Sequence, residues 1–409
     1  MRNLKKIVCL FLVFASVFVG TFTINLNAFA DAISDAVRGD NIAYITDKDN
    51  INEKISIRDS DRHENVDVST FKPNNISKIK ANSFKNICVD GNLSDDVEIK
   101  QTLKHQFDSG SMVLIRKDNM TVKEIYQYFG IEKKAEYFNP IDEQKENDDK
   151  LKVVAVSIKK NTSGEINTEV ISVEDYTNEQ AVQKAIAYSV KHKTTDSIEE
   201  KKTSLIEFSN NVANATGLCW NPIASNTWLD AWVTVNVSYS VVLQENPNCP
   251  DSQGKYYTMV YSAVDVQPTS SAYGYSDVYF RHSGGGTATI YDYGPTVSSS
   301  TDSISFSFAY PNPTISVGAN IGITTGVAIP EGGINSTSVK WDFYPKIFGL
   351  HTITSKSSHY ALASEYRQSS RFYTGSLNYS IEMYNCQQGD YPIYVATASK
   401  SNRSVTNTL

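Results

Sequence analysis

Apolar positions recur with a helical spacing in one part of the chain and with a strand spacing in the rest. Between residues 86 and 193 the two patterns alternate, since helical stretches at 95–107 and 121–129 flank a short apolar strand and a β-branched strand follows at 151–158. Thr121 and Glu124 form a capping-box pair, and Gly130 stands where a helix C-terminus favours glycine. This order predicts a small α/β domain over residues 86–193.

After residue 205 the helical spacing disappears and short alternating stretches follow one another, separated by Gly, Pro and Asn. The predicted strands are 228–243, 256–266, 274–281, 287–291, 304–310, 315–329, 338–343 and 372–383. We therefore expect an α+β N-terminal domain followed by an all-β C-terminal domain, an antiparallel β-sandwich-like fold over residues 205–409. A charged linker over residues 194–204 would join them. Residues 31–85 are rich in Asp, Asn, Lys and Ser and are expected to form a flexible arm or pro-segment.

The sharpest alternation runs over residues 303–329. Apolar residues on the first strand alternate with serines, and apolar residues on the second alternate with Ser, Gly, Asn and Thr. The apolar positions that would define a membrane-inserting hairpin are Ile304, Phe306, Phe308, Ile315, Val317, Ile321, Ile323 and Val327. A spanning β-hairpin needs such a pattern, because one face meets lipid and the other a wet lumen. The pattern resembles the stem of aerolysin- or leukocidin-type pore-forming toxins, over fewer than thirty residues and without a residue motif.

The same alternation also fits a hairpin of an ordinary protein core, because any strand with one buried face alternates in this way. A pair of strands that self-associates is a third interpretation.

The N-terminus predicts export. Arg2, Lys5 and Lys6 precede an apolar run, and Ala28-Phe29-Ala30 fits a cleavage site, so residues 1–30 have the layout of a signal peptide. The net charge is -7 for the whole chain. Because the chain is mildly acidic, binding of nucleic acid is not expected. We expect a secreted, extracellular protein, and the Asn-, Lys- and Ile-rich composition is typical of an AT-rich bacterial source.

The cysteines of an exported chain can pair. Cys88, Cys219, Cys249 and Cys386 remain beyond the leader. A pairing of Cys219 with Cys249, or of Cys249 with Cys386, is the expected disulfide, and two bridges are an alternative.

Motifs of catalysis are absent from the sequence. It has no His-Glu-x-x-His, no Cys-x-x-Cys, no complete calcium loop and no Gly-x-Ser-x-Gly. We therefore expect no enzyme, no metal and no cofactor. A basic and aromatic stretch at Arg367, Arg371 and Tyr373 is the best candidate for contact with an anionic headgroup or sugar acid.

Two functions follow from these patterns. The first is a secreted, non-enzymatic protein that binds an extracellular surface or ligand through its β domain. The alternative is a protein of the β-hairpin pore-forming type that inserts residues 303–329 into target membranes. The expected partner is a cell-surface or membrane component, and oligomerisation of the chain is also considered. A third possibility is that the N-terminal α/β unit is a pro-domain that masks the β domain until proteolysis near residues 194–202.

Overall fold

Strands dominate the residues that the computed structural model describes, which are 41–49, 51–59, 62–81, 84–131, 150–160, 166–194, 221–246, 248–295, 304–307, 314–320, 324–347, 350–387 and 391–406. The predicted signal peptide and the predicted linker between residues 195 and 204 lie outside them.

Four helices occur in the described residues, and all precede residue 195. They are α1 (Ser77–Ala81), α2 (Val97–Asp108), α3 (Val122–Phe129) and α4 (Glu179–Thr194).

Seven strands accompany these helices: β1 (Ile42–Ile45), β2 (Lys54–Asp59), β3 (Arg62–Phe71), β4 (Asn86–Asp90), β5 (Met112–Arg116), β6 (Lys152–Lys160) and β7 (Ile166–Val173). The later described strands are β8 (Asn221–Ala231), β9 (Val235–Glu245), β10 (Tyr256–Pro268), β11 (Tyr273–Gly284), β12 (Thr289–Gly294), β13 (Ile304–Ser307), β14 (Thr314–Asn320), β15 (Thr324–Gly332), β16 (Ser338–Ile347), β17 (Leu350–His351), β18 (Ser358–Gln368), β19 (Thr374–Asn385) and β20 (Ile393–Thr406).

The strands form two large sheets. The first has fourteen strands in the order β13-β14-β18-β10-β9-β8-β7-β6-β5-β4-β1-β3-β2, with β12 paired to β18 beside β14. The second has six, in the order β15-β16-β11-β19-β20, with β17 paired to β16. The protein is therefore mostly β with large sheets.

The helix caps predicted for the N-terminal part are confirmed. The Thr121 hydroxyl accepts a hydrogen bond from the Glu124 amide, and the Glu124 carboxylate accepts one from the Thr121 amide. Gly130 closes α3 with a φ of 74°, a left-handed conformation that glycine adopts without steric cost. Asp96, which was not among the predicted caps, also caps α2 by accepting from the amides of Glu98 and Ile99.

The flexible arm expected over residues 31–85 is wrong for the described residues between 41 and 81, which form strands and helices. β1 lies inside the first sheet, between β3 and β4 and parallel to both. All four of its residues are buried. Four apolar residues are too short a run to show a period, and their partners lie at distant positions in the chain, so the sequence alone did not reveal this strand.

The first sheet continues across the predicted boundary between the two parts of the chain. β7 and β8 pair in parallel, from Glu169 opposite Thr227 to Val173 opposite Ala231. The predicted linker therefore falls in the connection between two hydrogen-bonded neighbours.

The second sheet packs against one face of the C-terminal strands of the first, and aromatic rings fill the space between them. Tyr360 of β18 lies 5.1 Å from Phe280 of β11 and 4.9 Å from Phe343 of β16, measured between ring centroids. Tyr239 of β9 lies 6.4 Å from Tyr379 of β19. These rings are buried, so many of the tyrosines of this half form the core rather than a surface for ligands.

Candidate functional site

The hairpin of β13 and β14 is the element that the sequence marks for function. In its register Ile304 is opposite Val317, and Phe306 is opposite Ile315. The apolar positions of the two strands are thus cross-strand neighbours, as the alternating pattern predicts.

The strand predicted over residues 315–329 is wrong, because two strands in different sheets occupy it. β14 pairs with β18 of the first sheet, whereas β15 pairs with β16 of the second, with Val327 opposite Phe343. The alternation continues through both strands, so nothing in the period signals the change of sheet. Phe308, Ile321 and Ile323 lie outside the described residues.

The hairpin is attached to the first sheet by a short ladder. β14 pairs with β18 at three positions, from Gly318 opposite Ala361 to Asn320 opposite His359. β12 occupies the other part of the same β18 edge, where Gly294 is opposite Ala363. β13 is the terminal strand of the sheet on this side. The hairpin therefore lies at an edge and interrupts no pairing between other described strands.

Titratable side chains on β18 flank this ladder. His359 Nδ1 lies 2.7 Å from Asp265 Oδ1, across the β10–β18 pair. Glu365 is buried between Met259 and Asp292, its neighbours in register, and neither of its carboxylate oxygens has a hydrogen-bond partner among the described residues. Burial, and then the charge of Asp292, raise the pKa of Glu365 well above its usual range.

His282 is the histidine with the most hydroxyl contacts in the described part of the chain, and it is sealed in the core. Its Nδ1 lies 2.8 Å from Ser364 Oγ and its Nε2 lies 3.0 Å from Ser262 Oγ. Burial lowers the pKa of His282 to about 3, so the ring is neutral. Because the ring is fully buried, no substrate reaches it, and these contacts are structural.

The three residues expected to contact a ligand are separated by the fold. Tyr373 is fully buried, with its ring 5.0 Å from that of Tyr366, so its prediction as a ligand contact is wrong. An aromatic residue beside a basic stretch fits either face of a sheet, and here it faces the core. Arg371 is exposed and pairs with Glu245, at 2.9 Å between Nε and Oε1.

Arg367 is different, because it lines an open cleft of about 480 Å³. Its guanidinium donates to Gln253, and Tyr257 and Tyr291 stand edge to face 5.3 Å apart in the same cleft. Tyr257 donates to Asp251 Oδ2 at 2.9 Å. A guanidinium beside two tyrosine rings and a carboxylate is a set that can bind a polar headgroup or a sugar.

The expected disulfide between Cys249 and Cys386 is wrong, since both are free thiols. Cys249 Sγ accepts from the amide of Tyr257, near the first residue of β10, whereas the Cys386 amide donates to the carbonyl of Ala272, beyond the last residue of β10. The length of that strand, roughly 40 Å at ~3.3 Å per residue, far exceeds the reach of a disulfide. Cys219 lies outside the described residues.

A polar cluster that sequence reasoning missed lies where β1, β4 and β5 end. These strands are parallel, so their carboxyl ends meet at one edge. Tyr44 donates to Asp90 Oδ1 at 2.6 Å, and Arg116 donates to the Tyr44 hydroxyl at 2.9 Å. Arg116 also binds both oxygens of Glu179, at 2.5 and 2.7 Å. The signal available in the sequence was a charged residue at the end of each of two apolar strands, Asp90 in β4 and Arg116 in β5.

This cluster fixes α4 against the strand ends. Hydrogen bonds from Arg116, more than any other contact, lower the pKa of Glu179 to about 2, so the carboxylate stays ionised at neutral pH.

Among the described residues no helix has both the length and the apolar character needed to cross a membrane. In the same part of the chain no three His, Cys, Asp or Glu side chains are grouped to hold a metal ion.

Comparison with known proteins finds remote structural likenesses. No protein-family model and no curated protein matches the sequence. A structure described as a pore-forming protein is 10% identical and covers 45% of this chain and 88% of its own, with a TM-score of 0.28. Clostridium perfringens delta-toxin is 9% identical and covers 42% and 82%, with a TM-score of 0.27. The membrane-inserted form of the Clostridium perfringens NetB toxin is 5% identical and covers 45% and 94%, with a TM-score of 0.21. Such scores do not define the fold or the function of this chain.

Proposed function

We propose that this protein is secreted and that it forms pores, with the β13–β14 hairpin as the segment that enters the target membrane. The observation that carries the proposal is how the hairpin is attached. Its backbone pairs with β18 at three described positions, at the edge of the first sheet. In this proposal a β-sandwich-like body delivers the hairpin to the membrane.

The composition of the segment supports insertion. No residue from 303 to 329 is charged, while Asp302 and Glu331 flank the stretch. A transmembrane strand needs ~9–11 residues. Residues 314–329 can supply that length without a charge, whereas the predicted first strand, with eight uncharged residues from 303 to 310, reaches it by extension to Asp302. Its apolar positions would face lipid, and its serines and glycines would face a lumen.

The edge position limits the backbone pairing that release of the hairpin must break. Removing β13 and β14 breaks the short ladder at Gly318–Asn320 and leaves the β10–β18 pair intact. A strand in the middle of a sheet would have to break two full ladders instead.

Insertion would require oligomers. Two strands cannot satisfy their outer backbone groups in lipid, and the smallest closed membrane barrels have about eight strands. Several copies of this chain would therefore each contribute one hairpin to a shared barrel.

The test is release of a trapped dye from phosphatidylcholine vesicles by the purified protein. Val317→Lys places a charge on the proposed lipid face and is expected to abolish release, because Lys at the bilayer midplane costs about 2–4 kcal/mol for each copy in the barrel. Ser316→Lys, the adjacent residue on the lumen face, is the matched control and is expected to retain release. The proposal fails if the wild-type protein releases no dye, or if both variants release it equally.

A second function, binding of an extracellular ligand without membrane insertion, is favoured by the cleft at Arg367. It predicts that the protein binds a glycan or a zwitterionic headgroup and that Arg367→Ala removes this binding. Calorimetry with wild-type protein and with Arg371→Ala, a nearby exposed arginine outside the cleft lining, distinguishes it from pore formation.

A further inference from the structure

The largest group of exposed apolar side chains in the described residues lies at the beginning of β20. Tyr391 is 82% exposed, Ile393 51%, Tyr394 54% and Val395 44%. Pro392, between them, is also exposed. We name these five residues the β20 tip. The other large exposed apolar residues are scattered singly, as on most protein surfaces.

A β-bulge explains why three consecutive strand residues are exposed. Tyr384 pairs with Tyr394, whereas the preceding Met383 pairs with Ala396, so Val395 has no residue opposite it. Such a bulge bends the strand and breaks the alternation of its two faces. The β20 tip therefore presents apolar groups in more than one direction. Packing of the first sheet against one face of β20 would cover some of these apolar groups and leave the others exposed to water.

The chemistry of the β20 tip fits the interface of a lipid bilayer. Each of its two tyrosines combines an apolar ring with a polar hydroxyl, the property that concentrates tyrosine at membrane interfaces. The sequence from 384 to 399 has no Lys or Arg and only one acid, Asp390. The segment itself therefore offers no cation to anionic lipids, and its near-neutral charge matches a zwitterionic headgroup.

The register of the strands places the β20 tip at the end of the molecule from which the hairpin would leave. β10 ends at Pro268 and β11 begins at Tyr273, so this turn marks one end of both sheets. The β20 tip lies at that end, because Ile393 is opposite Asn385, and Asn385 is opposite Tyr273.

The segment that contains the hairpin is rooted at the same end. β12 runs from Thr289, opposite Arg367, to Gly294, opposite Ala363, and thus toward the beginning of β18, which is paired with the end of β10. β15 begins at Thr324, which is opposite Lys346 of β16. Because β16 runs antiparallel to β11, Lys346 lies at the end of the second sheet where β11 begins at Tyr273.

We infer that the β20 tip docks the protein onto a zwitterionic lipid surface before the hairpin inserts. This inference rests on the proposed pore-forming function, since docking at this end would bring both roots of the segment to the membrane. The burial of two tyrosines, an isoleucine and a valine at the interface would supply the affinity.

The experiment is flotation of the full chain with phosphatidylcholine vesicles. Wild-type protein and Val317→Lys, which cannot insert, are both expected to float with the vesicles. A triple variant, Tyr391→Ser with Ile393→Ser and Tyr394→Ser, is expected to reduce the bound fraction about tenfold or more, because its apolar interfacial contacts are gone. Ile334→Ser, at an exposed apolar residue 62% accessible and outside the β20 tip, is the control and is expected to bind as wild type. Adding phosphatidylserine is expected to leave binding unchanged.

The outcomes separate the two ideas. Flotation that depends on the β20 tip, without dye release, keeps the docking role and rejects the pore. Equal flotation of the triple variant, or no flotation of the wild type, overturns the docking role. Tyr391 lies before the first residue of β20. Tyr391→Ser alone gives an intermediate loss of vesicle binding if the docking role is correct and no loss if it is wrong. Circular dichroism shows whether the triple variant retains the native fold.

Discussion

Asp230 and Arg403 form an ion pair that is buried on both sides and joins the two sheets. Asp230 belongs to β8 of the first sheet, and Arg403 belongs to β20 of the second. Tyr379 donates to the same carboxylate oxygen, and its hydroxyl accepts from Trp232 Nε1 at 2.9 Å. The guanidinium also lies 5.1 Å from the Trp228 ring, a cation–π contact. The network holds the sheet that bears the β20 tip against the sheet that bears the hairpin.

Removing one partner of this pair should destabilise the fold severely. Asp230→Ala leaves the Arg403 charge buried without a counter-ion, which costs about 3–5 kcal/mol in the free energy of unfolding. The double variant Asp230→Leu with Arg403→Met removes both charges and is expected to recover most of that loss. Urea unfolding measures both. The exposed pair of Arg371 and Glu245 is the comparison, and Arg371→Ala should cost less than about 1 kcal/mol. Equal losses in Asp230→Ala and Arg371→Ala would show that the buried pair has no special role.

His282 should make the protein sensitive to mild acid. Burial lowers its pKa from 6.5 to about 3, so the unfolded chain binds a proton between these values while the folded chain does not. The contribution of the neutral His282 ring to the free energy of unfolding is therefore fully present above pH 6.5 and is lost as the pH decreases toward 3. The loss at pH 5 amounts to about 2 kcal/mol.

The variant His282→Asn isolates this contribution. It is expected to be less stable than the wild type at pH 7, because it loses contacts with Ser262 and Ser364. The difference in its unfolding free energy between pH 7 and pH 5 should be smaller than that of the wild type. Urea titrations at the two pH values measure it, and an unchanged difference would contradict the assignment.

Glu179 should contribute in a lower pH range. Its pKa is lowered from 4.5 to about 2, chiefly by hydrogen bonds from Arg116, so its contribution is present above pH 4.5 and is lost as the pH falls toward 2. Because the side chain is partly exposed, solvent screening reduces the effect to on the order of 1 kcal/mol. Glu179→Gln should lower stability at pH 7 and flatten the acid limb of the unfolding profile. If Glu179→Gln loses stability in acid as steeply as the wild type does, the Arg116–Glu179 pair is not the cause of that loss.

The elements whose signals are local could be predicted from the sequence. Thr121, Glu124 and Gly130 identify α3 because caps involve neighbours in the chain. The pairing of Ile304 with Val317 also agrees with the alternation.

The features that depend on distant partners could not be predicted in this way. β7 and β8 are adjacent in the sheet although residues such as Glu169 and Thr227 are far apart in sequence. Likewise, the period of two across residues 315–329 is the same whether one strand or two occupy it, so the sequence did not show that β14 and β15 join different sheets. Tyr373 turned inward for a similar reason, since period alone does not say which face is buried.

A disulfide across the hairpin's attachment should switch pore formation off. Gly318 and Ala361 are opposite each other in an antiparallel pair, where Cα atoms lie about 4.5–5.5 Å apart, within the range of a disulfide. Oxidised protein with Gly318→Cys and Ala361→Cys is expected to bind phosphatidylcholine vesicles but to release no dye, because β14 cannot leave β18. Adding a reductant should restore release to the level of wild-type protein treated in the same way. The matched control locks β8 to β9 through Thr227→Cys and Ser240→Cys, whose native hydroxyls lie 2.9 Å apart in the body of the first sheet. This control should release dye whether oxidised or reduced, and mass spectrometry confirms which bridge has formed. If the oxidised hairpin lock releases dye as fast as the control, β14 stays on β18 during pore formation, and another segment must enter the membrane.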